Sequence, residues 1–375
     1  MSNRLYIQPL TLVPSPQAVA GDAIRLGGGM VYAHLFAVTV TRDDRTVLRE
    51  LVTPSGIDWM FERLPDDLGA EAEAQWEGLT TAHPPLELGE RTIRLDQPQV
   101  MGILNVTPDS FSDGGRFLDD PDEARGHAAA MHEAGAAIID IGGESTRPGA
   151  AAVWEGDEIK RVIPAVEHAV AMGAAVSIDT RRPAVMEAAL KAGAHLINDV
   201  SALRHDPRSV ALVAASGKPV ILMHAPGPID GSGDDLHAGG TYGNVVFDVF
   251  DWLRAARDRA IAGGIERGRI VLDPGIGFGK TMAENLALLN ALPLFHALGQ
   301  PLLLGASRKR MIGALSNEAS AHQRLGGSLA LAAAGMNAGY QLLRVHDVHD
   351  TVQARNVWRG LRDAALTDFA GLAED

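Results

Sequence analysis

"MGILNVTPDSFSDGG", Met101 to Gly115, drives an apolar run (Met101, Gly102, Ile103, Leu104) into Asn105 and then breaks into Thr107, Pro108, Asp109, Ser110 and a Gly-Gly pair. The run reads as a buried strand, and the segment after it as a polar loop rather than a helix. From this strand onward short β-rich runs alternate with Ala-rich amphipathic stretches, the rhythm of parallel β/α units. Eight strand-like runs can be counted: "QVMGILNV", "AAIIDIGG", "AAVSIDT", "AHLINDV", "PVILMHA", "RIVLDPG", "PLLLGAS" and "YQLLRVHDV". Between them lie helix-like runs such as "DEARGHAAAMHEAG" and "RPAVMEAALKAG", closed by Gly as helix C-termini often are. Eight such units over residues 83–375 predict an α/β fold, a (β/α)8 TIM barrel; a doubly wound open sheet is the alternative.

Residues 1–82 do not share this rhythm. "YAHLFAVTVTRDD" looks like a strand leading to a turn and "SGIDWMFERLP" like a short helix, which predicts a small α+β appendage of unassigned role. "EGLTTAHPPLELGERTIRLDQP" then reads as a Pro-containing linker and a hairpin about Gly89, placed to plug the bottom of the barrel.

Composition narrows the chemistry. With 46% hydrophobic and 21% charged residues the chain is that of an ordinary globular protein. It shows no uncharged apolar stretch of about 18 residues and no leader-like start, so a cytoplasmic location without a membrane partner is expected. The absence of cysteine excludes disulfides, thiolate metal sites and a cysteine nucleophile. A net charge of -14 argues against nucleic acid as a partner, so an anionic ligand requires a local cluster of donors.

In a barrel of this kind function collects where strands end. The polar residues there are Asn105, Glu144 with Ser145, Asp179, Asn198, His224, Asp273, Ser307 with Lys309, and Arg344 with His346. Any one of them could be a helix cap, but eight together argue for a working rim. Asp179, Asn198 and Asp273 follow apolar runs, and buried acceptors of that kind need matching donors. They suit a flat, amidine-like heterocycle rich in N–H groups. Arg344, His346, Arg308 and Lys309 form a cationic set, with Arg344 and His346 on one face of a strand, suited to a phosphate or diphosphate. The competing reading of Arg344 is a salt bridge to a buried Asp. "DPGIGFGKT" imitates a phosphate loop but has Pro274 where the first Gly is required; its glycines read as a tight turn that lets Asp273 and Phe278 approach a ligand.

Assembled in order, "MGILNVTPDSFSDGG", "DIGGESTRPGA", "SIDT", "INDVSA", "DPGIGFGK", "GASRKRMIG" and "RVHDV" resemble the signature segments of the dihydropteroate synthases. These folate-pathway transferases join a pterin diphosphate to p-aminobenzoate. The resemblance spans about residues 84 to 365 and implies that the pterin lies against Asp179, Asn198, Asp273 and Lys309. It assigns diphosphate to Asn105, Arg344 and His346, with Mg2+ at Asn105. Two loops implied to close over the site carry Asp109, Phe111, Thr146, Arg147 and Pro148. p-Aminobenzoate is implied to lie among Phe111, Pro148, Phe278 and the "SRKR" turn of Ser307, Arg308 and Lys309, where Arg310 replaces the small serine of many relatives. Asp109, Lys309, Arg344 and His346 are the catalytic candidates, and a homodimer open to sulfonamides is the implied assembly. Two rivals remain. A pterin-binding methyltransferase would keep the acceptors without the diphosphate ligands, and a silent pterin-binding protein would lose some of Asn105, Arg344 and His346.

Overall fold

The computed structural model describes residues 3–43, 45–107, 121–144, 153–227 and 239–367. Its N-terminal part is a four-stranded antiparallel sheet of β1 (Asn3–Val13), β2 (Ile24–Arg25), β3 (Tyr32–Arg42) and β4 (Arg45–Val52), with α1 (Ile57–Phe61) and α2 (Gly69–Thr80). A hairpin, β5 (Leu86–Leu88) and β6 (Arg91–Ile93), leads into the barrel. There the order is β7 (Gln99–Asn105), α3 (Pro121–Glu133), β8 (Ile138–Gly142), α4 (Glu155–Ala171), β9 (Val176–Asp179), α5 (Pro183–Lys191), β10 (Leu196–Asp199) and α6 (Arg208–Ser216). It continues with β11 (Val220–Met223), α7 (Val245–Ala262), β12 (Ile270–Asp273), α8 (Met282–Asn290), β13 (Leu303–Leu304), α9 (Arg310–Leu315), α10 (Leu325–Asn337), β14 (Leu342–Val345) and α11 (Val348–Ala365).

All eight predicted barrel strands form, each followed by a helix, in one parallel sheet. A parallel bridge between Leu272 and Leu302 joins its two ends, so the sheet is a closed barrel rather than an open one. The strands are mostly apolar because both faces are covered, by helices outside and by packed side chains within. The hairpin closes the bottom as expected: Leu86, Leu88, Ile93 and Leu95 pack on Met101, Ile138, Leu196, Ile221, Val271 and Leu342 near the strand starts. Gly89, at φ +69°, makes its turn. The linker is shorter than the sequence suggested, because "EGLT" is the last turn of α2 and the extended chain begins at Thr81.

The N-terminal sheet shares a continuous core with the barrel helices. Tyr6, wholly buried on β1, stacks on Phe247 of α7 at 3.9 Å and donates its hydroxyl to Asp251 at 2.8 Å. Arg4 reaches the same carboxylate at 3.1 Å, and Arg254 bridges Asp251 at 2.8 Å to Glu71 of α2 at 2.7 Å. Gln75 seals the free edge of β1, accepting from the Ile7 amide at 2.9 Å and donating to the Leu5 carbonyl at 2.7 Å, which removes an edge open to aggregation. Gly78 lets α2 approach the backbone at Ala297 and Gly299, where a β-carbon would stand 2.8 Å from both. Among the described residues no helix is long and apolar enough to cross a membrane.

Tyr6→Ala removes an aromatic plug and one of the hydrogen bonds to Asp251, and is expected to cost about 3 to 5 kcal/mol in denaturant unfolding. A loss under about 1 kcal/mol would show that the contact is incidental. His296, fully buried with Nε2 at 2.8 Å from the Ala338 carbonyl, is held neutral by burial, its pKa lowered to about 4. The unfolded chain takes up this proton below about pH 6.5, so the ring's contribution to stability is lost as pH falls from there toward 4, by up to about 1.4 kcal/mol per unit. In His296→Gln the slope of unfolding free energy against pH should flatten by that amount over this window.

Candidate active site

Parallel register lines up Asn105, Gly142, Asp179 and Asn198 as successive neighbours across β7, β8, β9 and β10. The glycine in this rung leaves space that its neighbours share: a β-carbon on Gly142 would lie 3.6 Å from Asp179 Oδ2 and 3.7 Å from Asn105 Oδ1. From the last strand Arg344 reaches across, its Nη2 donating to Asp179 Oδ2 at 2.6 Å and its Nε to Asp140 Oδ2 at 2.6 Å. The same Asp140 oxygen accepts from Asn198 Nδ2 at 3.1 Å. Four side chains from four strands thus form one bonded cluster. The salt bridge weighed as the competing reading of Arg344 is present, twice.

The electrostatics follow from two carboxylates and one guanidinium in a buried place. Burial pushes the Asp179 carboxyl up, to about 7, with Arg344 opposing and Asp140 adding to the rise. Burial works against the Arg344 charge, but Asp140 and Asp179 more than offset it and its pKa is raised.

The second half of the site is the turn after β12. Asp273 accepts from the Gly275 amide at 2.7 Å, and burial raises its pKa against the pull of Lys309. A β-carbon on Gly305 would stand 3.5 Å from Asp273 Oδ2 and 4.0 Å from Arg344 Cβ, so the two clusters adjoin. Lys309 donates to the Ile276 carbonyl and lies 4.4 Å above the Phe278 ring. Gly275 is required at φ +66°, where a β-carbon would meet the His224 carbonyl at 1.9 Å; at Gly277 one would meet Lys309 Cδ at 2.8 Å. Lys280, the lysine of the apparent phosphate loop, is spent on the turn itself, donating to the carbonyls of Gly275 at 2.8 Å and Phe278 at 3.1 Å.

The remaining expectations divide. His346 is linked to Ser307, its Nδ1 3.1 Å from the hydroxyl and its amide donating to it at 3.2 Å. Arg308, at φ +56°, pairs with Asp347, its Nε donating at 3.0 Å, which ties it to the base of α11. Arg310 is exposed at the start of α9. Glu144 is clamped by Arg181 at 3.1 Å and Arg182 at 2.7 Å, and Arg182 also holds the buried Glu158. Asp109, Phe111, Thr146, Arg147 and Pro148 lie outside the described residues. Asp140 was not among the predicted residues, although a charged residue inside the apolar run "AAIIDIGG" is the mark it leaves in the sequence. Among the described residues no group of three or more His, Asp or Glu is disposed to hold a metal ion.

Comparison with known proteins bears on the family and the fold. Residues 101–346 match the family model described as "Pterin binding enzyme". The dihydropteroate synthase of Mycobacterium leprae (strain TN) is 47% identical over 264 residues, 69% of this chain and 92% of that protein. The solved structure of Xanthomonas albilineans dihydropteroate synthase with 4-aminobenzoic acid is 44% identical, with a TM-score of 0.69, covering 76% of this chain and 100% of the other. The same bacterium's enzyme in complex with 7,8-dihydropteroate is 42% identical with a TM-score of 0.66 over the same shares of the two chains. With the family model matched over residues 101–346 and a relative 47% identical over 69% of its length, the chain belongs to the dihydropteroate synthase family.

Proposed function

We infer that this chain condenses 6-hydroxymethyl-7,8-dihydropterin diphosphate with p-aminobenzoate, releasing diphosphate and 7,8-dihydropteroate. The observation that carries the reading is the convergence of Asp179, Asn198, Asp273, Lys309 and Arg344 at one mouth of the barrel. The acceptors Asp179, Asn198 and Asp273 suit the N–H edge of a pterin, with Lys309 as the cation of that side. Asn105, Arg344 and His346 suit the diphosphate. Arg344 is then held by carboxylates on one side and turned to the leaving group with what remains of its fork of donors.

An arylamine is a weak nucleophile, so catalysis must come from helping diphosphate leave. Donors fixed at the departing oxygens supply this, and losing one typically costs about 3 to 4 kcal/mol. Asn105 Oδ1 would offer Mg2+ a neutral oxygen, the substrate phosphates and water supplying the rest, since this ion usually keeps several waters and takes few protein ligands. Bound there, it would neutralise charge on the leaving diphosphate. The carboxylates of Asp273 and Asp109 suit the positive charge left on the pterin methylene. Thr146, Arg147, Pro148 and Phe111 suit the exclusion of water from that centre, with Phe111 and Phe278 against the arylamine ring. A homodimer through the last helices suits the exposed Val357, Leu361 and Leu366 of the α11 region and Leu325 of α10.

The test is an assay of the full chain with pterin diphosphate, labelled p-aminobenzoate and Mg2+, read as dihydropteroate formed. Lys309→Ala should lower kcat/KM for the pterin by at least about 100-fold, the scale of a lost charged contact. Phe111→Ala should raise KM for p-aminobenzoate more than for the pterin. Normal kinetics in Lys309→Ala would refute the assignment. Burial and the neighbouring Arg344 lower the Lys309 pKa to about 8, with Asp273 opposing. The lysine therefore loses its charge as pH rises through about 8, and kcat/KM for the pterin should fall along that limb. In Lys309→Arg, which stays charged, the limb should move to higher pH.

A further inference from the structure

We infer that Asp140 is a positioning residue, which decides the face of the Asn198 carboxamide and the edge of the Arg344 guanidinium that meet the ligand; the inference rests on the pterin reading above. Asp140 lies two residues before Gly142 on β8, on the same face of that strand and one rung below the Asn105, Gly142, Asp179, Asn198 layer. It is wholly buried. Its Oδ2 takes Nε of Arg344 at 2.6 Å and Nδ2 of Asn198 at 3.1 Å.

An oxygen that already accepts from a guanidinium has no proton to give. The amide can therefore present only its NH2 group to Asp140, and Asn198 Oδ1 is held on the other side as an acceptor. Left to itself a carboxamide can turn over, exchanging acceptor for donor. Against a ligand edge made of N–H groups the turned form would set donor against donor. Arg344 is fixed by the same contact: with Nε on Asp140 and Nη2 on Asp179, its plane has one setting across the mouth. The other oxygen of Asp140 has no hydrogen-bond partner among the described residues. A buried acceptor left unmet is a cost that packing alone would not select.

The test uses the full chain, with steady-state kinetics for each substrate and, in parallel, equilibrium binding of the pterin diphosphate alone. Asp140→Leu removes both acceptor contacts at similar volume, and Asp140→Ser is carried beside it in case the first does not fold. Either should lower kcat/KM for the pterin by about 10- to 100-fold while KM for p-aminobenzoate stays within about twofold. Asp140→Asn, which keeps one oxygen for both donors, should recover most of the loss. Asn198→Asp placed in the Asp140→Leu or Asp140→Ser background should also recover pterin binding, because a carboxylate accepts at either face and needs no orienting. The inference is overturned if the truncated variants keep pterin kcat/KM within about twofold, or lose both substrates equally, or if the added Asn198→Asp gives no recovery in a folded protein. If the unaltered chain neither binds the pterin nor turns it over, the functional reading itself fails; binding without turnover retracts only the reaction, and the variants are then judged on binding.

Discussion

Arg344 carries its charge into a mouth that holds the carboxylates of Asp140, Asp179 and Asp273, and the setting of Asp140, Asp179 and Asn198 there follows from how that charge is shared. Asp140 and Asp179 each take one of its nitrogens at 2.6 Å, and Asn198 is tied to the first of them. Buried ion pairs of this kind add little net stability compared with apolar packing, while losing one partner typically costs about 3 to 5 kcal/mol. What the arrangement secures is geometry. An excess of acceptors faces the ligand, and the Arg344 guanidinium is anchored at its base rather than collapsed onto a random neighbour.

Around that centre the backbone does as much as the side chains. A glycine in the Asn105 to Asn198 rung keeps two oxygens close without filling the space between them. The turn after β12 is tied down by its own lysine, by Asn285 accepting from the Gly277 amide at 2.6 Å, and by a capping box of Thr281 and Glu284 at the start of α8. One wall of the site is therefore fixed, with Asp273 and Lys309 set against each other upon it.

The barrel was legible because eight apolar runs alternating with capped helices permit few other arrangements, and the strand-end residues because polar groups at the end of such runs break the pattern. Asn198 was separable from its neighbour only in three dimensions: Asp199, next in the chain, is spent inside the turn, accepting from Ser201 at 2.6 and 2.7 Å and from Leu203 at 2.9 Å. Asp140 escaped notice because it sits inside a strand rather than at its end, where periodicity registers a buried position and gives no account of its charge. In the N-terminal region β3 was plain, whereas β1 was not, since Pro9 interrupts it, and neither was β4, whose residues are almost all exposed and carry no apolar alternation. The role of Gln75 in closing the β1 edge depends on a contact 68 residues away, which no local pattern encodes.

The N-terminal sheet also has a geometric consequence for assembly. By lodging Tyr6 between Phe247 and Phe250, and by bringing Gly78 onto the backbone at Gly299, it permanently occupies the outer side of α7 and the segment Leu292–Leu298. A second copy of this chain could touch the cylinder itself only across its other sides, whereas the added sheet, with Val47 and Leu51 exposed on β4, offers a surface that a bare barrel lacks.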